Sequence, residues 1–157
     1  MIEQIYTYFT IENIFLWSNF GVLPFWTVLI FFPKSKICKI FTVSIFPIFI
    51  FTLIYSYLIY MIFNNNYNFL ENFNLYLSFS NLIDLLTNTS FTILFWIHFL
   101  AINLFCGAWA VKDSEKYNIS KVLMFFPLIL IYLIGPIGLF FYWVIRVFFA
   151  KKISIYD

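Results

Sequence analysis

The chain has one histidine, His98, set in the run Phe95-Trp96-Ile97-His98-Phe99-Leu100-Ala101-Ile102-Asn103-Leu104-Phe105-Cys106-Gly107. An imidazole among apolar neighbours is costly unless something uses it. His98 is therefore a candidate for proton transfer, the alternative being a hydrogen bond to a neighbouring helix. It cannot build a metal or haem centre, because nothing supplies the remaining ligands. On a helix, five residues place His98 and Asn103 about 140° apart. His98 then shares a face with Ile102, Phe105 and Trp109, while the other face carries Trp96, Asn103, Gly107, Ala110 and Ser114. Gly107 and Ala110 permit close approach and Asn103 adds a hydrogen bond, so that second face reads first as a packing surface and second as a contact for a lipid-like substrate.

The other chemically suggestive element is Gly135-Pro136-Ile137-Gly138. Pro136 has no amide hydrogen, so in a helix the Tyr132 carbonyl loses its partner. Such a break either offers free polar groups to a ligand near mid-membrane or only shapes packing. Tyr142, Trp143 and Arg146 follow as an interfacial belt with a snorkelling cation. Asn19, Gly21 and Pro24 form a similar weak point early in the chain. Cys38 and Cys106 have no recognisable pair spacing.

These residues must be positioned by elements suited to lipid. The 157 residues are 64% hydrophobic and 10% charged, against about 25% charged in a soluble domain. Mean hydropathy is +0.94. A net charge of +2 is too small to attract nucleic acid. A soluble enzyme, a secreted disulfide scaffold and a disordered tail are excluded, which leaves an integral membrane protein with the lipid bilayer as its first partner. Much of the Phe content, 24 residues, is what A+T-rich codons yield where any apolar side chain is tolerated.

A spanning helix needs roughly 20 apolar residues. Four stretches qualify, approximately 14–32, 40–63, 91–111 and 122–150. Their apolar runs are continuous rather than alternating, which favours helices over strands. The expectation is an all-α, polytopic, four-transmembrane-helix bundle forming a single membrane domain over residues 1–157. His98 falls about three residues from the middle of the third span. No basic residue precedes Lys34, so neither a secretory signal nor a transit peptide is expected.

Basic residues set orientation. Connections 33–39 and 112–121 carry Lys34, Lys36, Lys39, Lys112, Lys116 and Lys121, which puts both on the cytoplasmic or equivalent side. With four spans, Arg146, Lys151 and Lys152 end up opposite. A fourth stretch that turns back at Gly135-Pro136-Ile137-Gly138 would remove this conflict, but each half would then be about 14 residues, shorter than a span. A single helix kinked at Pro136 is the simpler reading. In the second connection, 64–90, Phe79, Leu82, Ile83, Leu85 and Leu86 recur at helical spacing. They fit either an interfacial helix before the third span or a loop brushing lipid.

In combination these residues resemble the membrane family named after the plant protein abscisic-acid-deficient-four, which is linked to neoxanthin formation. The landmarks are Ser18-Asn19, Trp26 and Pro33, then Phe79-Ser80-Asn81-Leu82, the run from Trp96 to Phe105, Gly107, Trp109 and Asp113, and finally Gly135-Pro136-Ile137-Gly138-Leu139. The similarity extends from Glu12 to Ala150. It implies a part in carotenoid (xanthophyll) metabolism, in a bacterial cytoplasmic membrane or an organelle membrane. Converting an epoxy-carotenoid to an allenic alcohol needs an acid at the epoxide oxygen and a base at a carbon-bound proton. On this reading His98 serves as one, with Asp113 a distant candidate at the membrane edge, and neither cofactor nor metal is required. One departure stands out: the family usually carries an acid where this chain has Asn103. The competing expectation is a non-catalytic interaction or assembly subunit, binding a carotenoid or another membrane protein. A small transporter fits least, for want of polar groups to line a path.

Overall fold

The computed structural model describes residues 8–64 and 77–154. Within them run α1 (Ile11–Phe31), a π-helical turn (Cys38–Thr42), α2 (Ile45–Asn64), α3 (Phe79–Thr87), α4 (Thr89–Lys116), α5 (Lys121–Ile134) and α6 (Pro136–Ala150). The described residues contain no strand. Three helical segments are long and apolar enough to cross a membrane: α1, the π turn continued into α2, and α4. Part of the second connection, residues 65–76, lies outside the described residues.

Local sequence explains the boundaries. Thr10 caps α1 by accepting the Asn13 amide at 3.2 Å, and α1 ends just before Pro33, whose ring disfavours helical geometry in the residue ahead of it. In the π turn the Val43 amide reaches back five residues to the Cys38 carbonyl at 2.8 Å. Asn88 separates α3 from α4, its side chain accepting the amides of Ser90 and Phe91 at 3.0 and 3.2 Å. The segment at 79–87 is therefore a helix, and none of its residues is buried.

α4 is the axis of the molecule. Trp96 Nε1 donates to Asn19 Oδ1 at 3.3 Å, Trp26 covers Gly107, and Lys39 Nζ lies 3.3 Å from Glu115. These three contacts occur in the same order along both segments, so α1 and α4 run parallel. α2 also packs on α4, with Tyr55 beside His98. Gly107 is needed here: a Cβ would lie 2.6 Å from Trp26 Cη2.

The fourth apolar stretch is corrected by the structure. It is two helices folded back on each other, not one kinked helix. Phe126 and Phe141 have ring centroids 5.4 Å apart, whereas fifteen residues of straight helix would separate them by about 22 Å. Gly135, at φ 67° and ψ −90°, makes the turn, donating its amide to Leu130 and Ile131 carbonyls at 3.1 and 3.0 Å. Pro136 then occupies the first turn of α6, where a missing amide hydrogen breaks no helical bond. Gly138 seals the crossing, since a Cβ there would fall on the Ile131 amide nitrogen. The turn abuts Asn103, halfway along α4, with a Cβ on Gly135 placed 2.5 Å from Asn103 Oδ1. Both open ends of the hairpin lie beside the C-terminal end of α4, where Arg146 meets Asp113.

This arrangement gathers Lys34, Lys36, Lys39, Lys112, Lys116, Lys121, Arg146, Lys151 and Lys152, all nine basic residues of the chain, at one end. Glu12 and Asp84 lie at the other end. The charge conflict of a four-span bundle disappears.

Candidate functional site

His98 is exposed on α4 and opens onto a lateral groove of about 320 Å³ between α2 and α4. Ile48, Phe51, Ile97, Ala101, Ile102 and Phe105 make its lining apolar, and Thr52 and Tyr55 are the polar residues that join His98. The Thr52 hydroxyl is taken by the Ile48 carbonyl at 2.9 Å. The Tyr55 ring lies 6.2 Å from the imidazole, tilted by 51°. No hydrogen bond joins the imidazole to any described residue. The groove therefore presents an unbonded imidazole, with the Tyr55 phenol beside it, inside an otherwise apolar wall. It can seat a long apolar molecule and offer it a proton donor or acceptor.

The opposite face of α4 is packed. Asn103, Gly107, Ala110 and Ser114 are all buried. Trp96 is half-buried, tied to Asn19 and stacked near Phe99 at 5.4 Å. Asn103 is held against the hairpin turn, and its Nδ2 has no partner among the described residues. Gly135 and Gly138 are buried in the hairpin, while Pro136 is exposed. Asn103 thus belongs to a helix contact and does not face the groove.

His98 and Asp113 are not brought together. Fifteen residues of one helix separate them by about 22 Å. Asp113 instead anchors a polar cluster at the basic end of the molecule. Arg146 Nε donates to Asp113 Oδ2 at 2.6 Å, and the Tyr142 hydroxyl donates to the same oxygen. The guanidinium also donates to the Tyr117 hydroxyl at 3.3 Å and lies 4.9 Å from that ring's centroid. Trp109 packs edge-on against Tyr142 at 5.6 Å. Both charged side chains are largely buried, Arg146 at 3% and Asp113 at 9% exposure. The expected belt of Tyr142, Trp143 and Arg146 is corrected accordingly: Trp143 is exposed, but Tyr142 and Arg146 point inward. What signal there was lay in the charge count, because a cation stranded on the wrong side needs an inward partner or a different topology.

Among the described residues no group of His, Cys, Asp and Glu could hold a metal ion. Neither a curated protein nor a solved structure matches the chain. The family model described as ABA DEFICIENT 4-like matches residues 13–142, which spans the groove, the packed face of α4 and most of the hairpin. With three helices able to cross a membrane and that match over most of its length, the chain belongs to the ABA DEFICIENT 4-like family and has the build of a membrane protein.

Proposed function

We propose that the chain is a multi-pass membrane protein with its basic end on the cytoplasmic-equivalent side, and that it acts in carotenoid (xanthophyll) metabolism through His98. The observation that carries this reading is the imidazole itself, unbonded and open in an apolar lateral groove, where desolvation makes an idle polar group expensive. A lateral groove suits a substrate that arrives through the bilayer. Opening an epoxide to an allenic alcohol moves one proton from carbon to oxygen. The neutral imidazole takes the carbon-bound proton, the C–H electron pair becomes the new double bond, and the epoxide C–O bond opens. The resulting alkoxide takes a proton from the imidazolium, so no oxidant or reductant enters. Tyr55, in the same groove, is a second donor for the departing oxygen.

The test is expression in a host that accumulates violaxanthin, followed by pigment analysis. New allenic pigment with the intact chain, lost with His98→Ala, supports the reading; unchanged pigment with well-inserted protein counts against it. A second reading, a non-catalytic interaction or assembly subunit, is favoured by Asn103. The usual acid of the family is an amide here, and it is buried against the hairpin. For such a subunit, His98→Ala leaves pigments intact and lowers recovery of a membrane partner.

A further inference from the structure

Where the C-terminal end of α1 meets the start of α5, a recess of about 450 Å³ is lined by Phe31, Phe32, Pro33, Lys34, Ser35, Ser120 and Lys121. Its polar groups come from two segments far apart in sequence. Lys34 and Lys121 are both exposed, and neither ammonium has an ion-pair partner among the described residues. Lys39, by contrast, is paired with Glu115. Ser35 Oγ accepts the Cys38 amide at 3.0 Å and Ser120 Oγ accepts the Leu123 amide at 3.4 Å. Each hydroxyl therefore spends a lone pair on the backbone and keeps its O–H to donate. The positive end of the α5 dipole points to the same place. Two cations, two hydroxyl donors and a helix N-terminus with no acid among them make a receptor for a phosphate oxyanion.

We infer that this recess binds the headgroup of an anionic phospholipid. The apolar wall selects a lipid over a free phosphate. Phe31 and Phe32 are 55% and 61% exposed, and Phe31 stands against Phe125 of α5 at 6.0 Å, so an apolar surface leads down from the cationic rim along both helices. Acyl chains lie along that surface while the phosphate sits between Lys34 and Lys121. The lipid bridges the end of α1 to the base of the hairpin. Basic pockets between helices on the cytoplasmic side are the usual place for this recognition.

The test compares the full chain in nanodiscs of phosphatidylcholine with and without phosphatidylglycerol, read by lysine acetylation. Phosphatidylglycerol should slow modification of Lys34 and Lys121 by about tenfold while Lys151 and Lys152 stay reactive. Equal protection of all four lysines would show a diffuse surface effect and overturn the site. Inorganic phosphate added to phosphatidylcholine discs should leave all four reactive; protection by phosphate alone would overturn the lipid assignment. Native mass spectrometry adds an independent arm. Lys34→Gln with Lys121→Gln should lose retained phosphatidylglycerol, and Lys151→Gln with Lys152→Gln, an equal loss of charge, should not. Equal loss in both pairs would contradict the proposal.

Discussion

An imidazole facing a hydrocarbon groove has few ways to be tolerated, and the geometry around His98 narrows them. It makes no hydrogen bond to the described residues and is exposed, so its removal leaves the packed core untouched. His98→Ala should change stability by no more than about 0.5 kcal/mol, read by thermal unfolding in detergent, while any pigment conversion is lost. Asp113 behaves in the opposite way. Its carboxylate is held by Arg146 and Tyr142 inside the molecule. Asp113→Ala leaves a buried guanidinium without its counter-charge and should cost about 3–5 kcal/mol, whereas the double change of Asp113→Ala with Arg146→Met should recover much of that loss. That His98 and Asn103 lie on different faces of one helix was legible from their spacing. Which residue stands opposite His98 was not, because spacing within one helix carries no information on the register of the next, and Tyr55 arrives from α2.

At the scale of elements, the hairpin of α5 and α6 is where local chemistry decides most. Gly-Pro-Ile-Gly supplies a positive φ, a residue suited to a helix start, and a crossing without a side chain. Gly138→Ala would push a methyl group into the Ile131 backbone, which can move only by opening the hairpin. The variant should lose about 1–3 kcal/mol, and more than Gly21→Ala, whose Cβ meets nothing within 4 Å; the same thermal assay compares them. The turn itself was visible in the sequence as an alternative to a kink. What argued against it was length, since halves of about 14 residues do not cross a bilayer. A hairpin has no need to cross; it needs only to reach halfway along α4, where its turn meets Asn103. The partners Arg146 and Asp113, thirty-three positions apart, follow from that fold and could not be read before it.

Taken whole, the molecule gathers every Lys and Arg beside the C-terminus of α4, with Asp113 and Glu115 paired among them and Glu12 and Asp84 at the opposite pole. Cations are retained on the cytoplasmic side when membrane helices insert, so the proposed topology, three crossings with a re-entrant hairpin, is one in which charge and fold agree. On that proposed topology the His98 groove would lie at mid-height, open to lipid, with the basic end left for anionic headgroups. The direct test is sided labelling in a background carrying Cys38→Ser and Cys106→Ser. Single cysteines at Asn118, Lys152 and Asp84 are exposed to a membrane-impermeant maleimide from each face in turn. The fold predicts that positions 118 and 152 label from the same face and position 84 from the other. Labelling of 118 and 152 from opposite faces would mean that residues 121–150 cross the membrane, and it would contradict the hairpin on which the gathering of all nine cations at one end depends.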